Sequence, residues 1–133
     1  MPWIGYKGDM NPEVQRALEG GGLIDITTTG RKSGRQHRIE ITFHNLNGNV
    51  YISGMPGRRD WYANLVANPE FVFHLKRQVK ADLRARARPV REPNERRKLL
   101  TEITRNWGRE RQLNRFLESS PLVEVTFLEE VGQ

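Results

Sequence analysis

The sequence predicts an α+β fold, a barrel of about six short, mostly antiparallel strands with flanking helices. Three observations lead there. Several short runs rich in branched side chains alternate apolar and polar residues at period two. Close turn signals, above all Asn47-Gly48, join successive runs as hairpins, which pair antiparallel. Runs with helical spacing are few, and closing six strands on one another removes exposed edges.

The elements follow in order. Residues 1–10 carry Pro2, Gly5 and Gly8 and read as an irregular arm. Asn11-Pro12-Glu13 opens a helix, with Asn as N-cap, Pro at the first helical position and an acid in the first turn. It runs to about Leu18 and stops at Gly20-Gly21-Gly22. Residues 23–29 form a strand, residues 30–36 a polar loop, and residues 37–46 a strand. In the last, Ile39, Ile41 and Phe43 point one way, and Arg38, Glu40, Thr42 and His44 the other. Residues 50–53 return after the Asn47-Gly48 turn, and residues 54–57 form a second loop. Residues 58–68 read as a helix, with Trp61 above Leu65 and Tyr62 above Val66, closed by Asn68-Pro69. Residues 71–75 and 79–90 are the next strands; the second sets Val79, Ala81, Leu83, Ala85 and Ala87 on one face. Residues 92–95 open a helix with the stripe Leu99, Leu100, Ile103 and Trp107, and Leu113, Phe116 and Leu117 add a turn or two. Pro121 precedes a last strand, residues 122–128.

The chain has 133 residues, so residues 1–133 are expected to form a single domain, with residues 1–20 as its arm and first helix. The composition, 36% hydrophobic and 29% charged, is that of an ordinary water-exposed domain, and no run is apolar enough to span a bilayer. No basic-then-apolar leader opens the chain, and cysteine is missing, which excludes disulfides and cysteine metal sites; a cytoplasmic location is expected. The formal charge of +6 attracts anions, among which charge alone does not choose.

The densest chemistry lies in residues 30–38, Gly30-Arg31-Lys32-Ser33-Gly34-Arg35-Gln36-His37-Arg38, with four cationic side chains and one histidine in nine positions. The glycines allow a backbone that gathers N–H groups into an anion nest, and the cations add charge-assisted hydrogen bonds. A solvated hairpin with a basic tip is the alternative. The spacing is not that of a Walker loop, and the segment that follows alternates as a strand. The second loop, Ser53-Gly54-Met55-Pro56-Gly57, runs into a helix start, where glycines let backbone approach a flat ligand.

These two regions carry a resemblance. The run Thr27-Thr28-Thr29-Gly30-Arg31-Lys32-Ser33-Gly34-Arg35 resembles one signature of the deazaflavin-dependent nitroreductase family, and Trp61-Tyr62-Ala63-Asn64-Leu65-Val66-Ala67-Asn68-Pro69 resembles another. The resemblance covers roughly residues 20–90. It implies a split β-barrel and binding of the deazaflavin coenzyme F-420, with FMN as the alternative. By position it assigns the phosphate to Lys32, Ser33, Gly34 and Arg35, helped by His37 or Arg38. It lays Ser53, Gly54, Met55, Pro56 and Gly57 along the ring, with Trp61 bracing that loop and Asn64 bonding its backbone. The activity implied is hydride transfer to a small apolar acceptor such as a quinone, enone or nitro compound. The family often shows Pro-Arg where this chain has Gln36-His37-Arg38, and its second loop is longer. Substrate-side tyrosines of the best-known members have no counterpart at Thr42, Phe43 or residues 106–116, so nitro-group reduction does not follow from the resemblance.

His44 reads as a surface histidine, with a relay to Glu40 as the alternative, and His74 as a strand-face histidine. The histidine spacing predicts no metal site. Asp25 and Glu40 are expected on neighbouring strands, paired with Arg38 or Arg84. The stripe Arg84, Arg86, Arg88 and Arg91 motivates a second hypothesis, a non-catalytic module that holds the cofactor, an anionic lipid surface or nucleic acid. Nucleic acid is the weaker partner, since no aromatics interleave with the arginines. A homodimer is compatible with the barrel.

Overall fold

The structure is a computed structural model that describes residues 11–128. The arm expected at residues 1–10 lies outside the described residues. Helix α1 (Pro12–Glu19) starts as the sequence predicts, with Asn11 Oδ1 accepting from Glu13 N at 2.7 Å. Its Val14 and Leu18 join the barrel interior, and Asn45 Nδ2 donates to Leu18 O at its end. Gly21, at φ +68°, makes the turn into the sheet; a Cβ there would lie 3.1 Å from Phe43 O.

The strands are β1 (Gly22–Thr29), β2 (Gln36–Leu46), β3 (Asn49–Ser53), β4 (Glu70–Leu75), β5 (Ala81–Pro89) and β6 (Leu122–Phe127). They close as β1-β2-β3-β6-β5-β4, every pair antiparallel. Asn47 and Gly48 both take positive φ, the two-residue turn whose twist suits a hairpin. Along β5, Leu83, Ala85 and Ala87 face inward, and the small side chains leave room for aromatic rings. Phe73 stands edge-on to both Phe43 and Phe127, at 5.2 and 5.0 Å between centroids.

Helix α2 (Asp60–Ala67) begins two residues later than the sequence suggests. Gly57 takes φ +119° and Arg59 is extended, so the chain enters the helix only at Asp60. Helices α3 (Pro93–Asn106) and α4 (Leu113–Ser119), joined by a short 3-10 turn, pack on the outside of the barrel. There Leu100, Ile103 and Phe116 form a second core with Leu46, Tyr51, Val90 and Leu122.

That second core corrects the expectation for His44. The side chain does point away from the barrel interior, as alternation requires, but α3 covers that end of β2. His44 is 8% exposed and meets Trp107 edge-on at 4.9 Å. Its Nε2 finds no hydrogen-bond partner among the described residues, and burial pushes its pKa down to about 4. It forms no relay with Glu40, which bonds Lys76 instead.

Candidate functional site

The first loop is a closed turn. Gly30 N donates to Arg35 O at 2.7 Å, Gly34 N to Gly30 O at 3.0 Å, and Arg35 N to Ser33 Oγ at 3.1 Å. Gly34 has φ +73°. At Gly30 a Cβ would lie 2.8 Å from Ser33 Oγ and 2.9 Å from His37 Nε2, so only glycine lets these two groups converge.

The turn is anchored to α2. The buried Asn64 accepts through Oδ1 from Arg31 N at 3.1 Å and from Arg31 Nη1 at 2.8 Å. Arg31 Nη2 reaches Asp60 Oδ1 at 3.3 Å, and Asn68 Nδ2 donates to Thr29 O. Between turn and helix opens a cleft of ≈ 420 Å³ bounded by Thr28, Lys32, Ser33, His37, Trp61 and Asn64. Arg31 and Asp60, already paired, also line it. The remaining donors (an ammonium, a hydroxyl and an imidazole) suit an anion rich in acceptor oxygens.

Lys32, Ser33, His37, Trp61 and Asn64 therefore meet at one cleft, and Gly34 shapes its turn. Arg35 and Arg38 do not line it. Period-two alternation sets His37 toward the cleft and Arg38 away from it. Arg38 Nε donates to Asp25 Oδ2 at 3.0 Å, and Lys76 bridges Asp25 and Glu40, which face each other across β1 and β2. The two cations beside Asp25 hold its carboxyl below the usual carboxylate range, Lys76 first. Asn64 bonds the first loop, whereas the resemblance had assigned it to the second.

The second loop is clamped to the segment before β6. Gly54 N donates to Pro121 O at 3.2 Å, Ser53 Oγ to Pro121 O at 3.1 Å, and Gly57 N to Ser119 O at 3.1 Å. Ser120 Oγ donates back to Gly54 O. A Cβ on Gly54 would press on Pro121 Cγ at 3.2 Å and Trp61 Cζ2 at 3.3 Å. Trp61 thus packs against this loop while lining the first cleft. Ser53 is buried with its hydroxyl engaged, and Met55 turns into the second core. Pro56 O accepts from Arg59 Nη2 at 3.4 Å. Gly57 edges a larger cleft of ≈ 780 Å³, which shares Arg31 and Asp60 with the first and includes Arg58, Arg59, Tyr62, Arg91 and Pro121.

Sequence reasoning left out Arg31 as a site residue, although it stands inside the basic run. It also left out the wall at residues 119–121, which no local pattern marks. The arginine stripe is largely neutralised. Arg84 and Arg86 lie 3.6 and 3.7 Å from Glu70, and Arg88 bonds Glu95 and Glu124 at 2.6 and 2.9 Å. Arg91 lines the larger cleft. His74 sits on the outer strand face as expected, with Nδ1 2.7 Å from Asp82 Oδ1 and Nε2 2.7 Å from Thr27 Oγ1. Among the described residues no three metal-ligating side chains gather, and no helix is long and apolar enough to cross a membrane.

The architecture is that of the split β-barrel proteins. The chain is similar to a conserved hypothetical protein from Mycobacterium tuberculosis at 11% identity, covering 97% of this chain and 87% of that one, with a TM-score of 0.72. It is also similar to a putative pyridoxamine 5′-phosphate oxidase from Listeria innocua (12% identity, 87% and 91% covered, TM-score 0.65). A third match is the heme storage protein HutZ from Vibrio cholerae (11% identity, 89% of each chain, TM-score 0.67). At such identities the likeness is one of fold. The particular family is shown by sequence: the family model described as F420H(2)-dependent quinone reductase matches residues 6–118, and the chain belongs to that family. It is an oxidoreductase that uses coenzyme F-420.

Proposed function

We propose that this chain transfers a hydride between coenzyme F-420 and a small apolar acceptor, a quinone first, with enones and nitro compounds as further candidates. The cofactor phosphate would lie in the smaller cleft and the ring along residues 54–57, since Ser53 is buried with its hydroxyl engaged. The observation that carries this reading is the turn of residues 30–35, locked onto α2 through Asn64, with Lys32, Ser33 and His37 converging on the cleft. The donor set fits a phosphate, and the glycine at residue 30 supports that fit by removing the one atom that would fill the cradle.

When bound, the reduced deazaflavin supplies the hydride. The protein's share is binding and orientation. Lys32 and Ser33 donate to the anionic group, while Asn64 and Asp60 hold Arg31 beside it. Trp61, packed between Gly54 and the first cleft, links the two loops. The ion pairs along Arg84, Arg86 and Arg88 speak against a free cationic face for lipid or nucleic acid.

The test is an anaerobic single turnover in which protein and reduced F-420 are mixed with a soluble naphthoquinone, an enone or a nitroaromatic. Oxidation of the deazaflavin with the quinone, at a rate well above the protein-free mixture, is expected. Tight binding with no oxidation by any acceptor would instead mark a cofactor-holding protein.

A further inference from the structure

Arg96, on α3, makes four hydrogen bonds, all to backbone carbonyls. Nη1 donates to Val90 O at 3.2 Å, and Nη2 to Phe116 O, Leu117 O and Ser120 O at 3.0, 3.1 and 3.0 Å. Three of these acceptors lie at the C-terminal end of α4, where Phe116 O also takes the Ser120 amide at 2.9 Å and the last carbonyls run out of donors from the helix itself. Their dipoles favour a cation there, offsetting the burial that works against the guanidinium's charge. Arg96 thus joins the end of β5, α3 and the end of α4 at a single point.

The chain of contacts continues. Ser119 O, Pro121 O and the Ser120 hydroxyl hold Gly57 N, Gly54 N and Gly54 O, so the backbone of the second loop takes its position from residues 119–121. Among the described residues no hydrogen bond joins Arg96 to the turn of residues 30–35, which hangs on α2, although Arg96 and Arg31 both line the larger cleft. We propose that Arg96 is a positioning residue for hydride transfer: by fixing the end of α4 it fixes residues 119–121, and through them residues 54–57 beside the cofactor ring. This rests on the reading of residues 54–57 as the loop along the ring.

The two ends of the cofactor then respond differently. Arg96→Gln keeps F-420 affinity within about threefold, because the phosphate end is held elsewhere, and lowers the hydride-transfer rate at saturating cofactor by about tenfold or more, as a small misplacement of the reacting atoms does. Ser120→Ala removes the bond to Gly54 O without touching Arg96 and gives the same split, and it carries the test if Arg96→Gln does not fold. General loss of structure would reduce the amount of active protein and leave the rate per bound site unchanged. Hydrogen exchange on the cofactor-free protein reads the coupling without activity. In Arg96→Gln the Gly54 and Gly57 amides lose protection by about tenfold or more, while those of Gly30 and Gly34 do not. Altered exchange in a protein that binds no F-420 would uphold the coupling and remove the reading of the site. Wild-type exchange and wild-type rate in both variants would overturn the positioning role.

Discussion

Replacing Asn64 with Ala tests whether the turn of residues 30–35, proposed to hold the cofactor phosphate, works as a part preset by α2. Asn64 is 5% exposed, and its Oδ1 takes two hydrogen bonds from Arg31, one from the backbone amide and one from the guanidinium. A neutral hydrogen bond contributes about 1 kcal/mol net and one to a charged group about 1.5–3 kcal/mol. The Arg31 side chain is 33% exposed and keeps Asp60, so water recovers part of the second amount. The net loss is expected at about 2 kcal/mol, most of it as freedom of residues 30–35 and the rest as lower global stability. Reordering the turn on binding then raises the F-420 dissociation constant about 10- to 30-fold. Fluorescence titration measures the affinity, and urea unfolding separates the global part. A double-mutant cycle with Arg31→Ala should return a coupling of about 1–2 kcal/mol. An affinity within twofold of wild type, in a protein that folds normally, would refute the argument that α2 presets the turn.

Other expectations follow from single contacts. His44 is held neutral by burial, with a folded pKa of about 4 against an ordinary 6.5. The stability this provides is complete above pH 6.5 and is lost as pH falls from 6.5 toward 4, by up to about 3 kcal/mol. Urea midpoints at pH 7 and pH 4.5 should therefore diverge in wild type and much less in His44→Phe; parallel profiles would show that His44 does not titrate in this window. Gly30→Ala pushes a methyl against Ser33 Oγ and His37 Nε2 and should weaken F-420 binding about tenfold or more with little change in unfolding midpoint, since the turn lies outside the core. Leu100→Ala, at the centre of the second core, should cost about 2–5 kcal/mol in urea unfolding; a loss under 1 kcal/mol would mean that α3 is loosely held.

What the sequence disclosed follows from how local each signal is. Alternation along β2 and β5 and the Asn47-Gly48 turn are properties of neighbouring residues, so the strands and the β2–β3 hairpin are legible directly, whereas the closure of β3 on β6 and of β1 on β4 is not. Propensity places the start of α2 too early, because Arg58 and Arg59 suit a helix. The left-handed Gly57 and an extended Arg59 delay it. His44 was placed outside because alternation says which face a side chain takes, not what later covers that face. Here Trp107, the C-cap of α3 and about sixty residues on in the chain, covers it. The same limit divides the site. Lys32, Ser33 and His37 share one short run and could be named together, whereas Arg38, next in line, is carried to the opposite face and to Asp25. Trp61 and Asn64 came from the resemblance. That Asn64 would seize Arg31, or that residues 119–121 would wall the second loop, depends on contacts 33 and about 65 residues apart in sequence, which no local pattern records.

The most direct test of the central claim is a fluorescence titration of F-420, run beside FMN, into wild-type protein and Lys32→Ala/Ser33→Ala. Removing the two donors proposed to hold the phosphate, one of them charged, should cost about 2–4 kcal/mol. The account predicts F-420 binding in preference to FMN, weakened about 30-fold or more in the double variant, with the unfolding midpoint unchanged. Equal F-420 affinity in the two proteins would contradict it and move the phosphate away from the turn of residues 30–35.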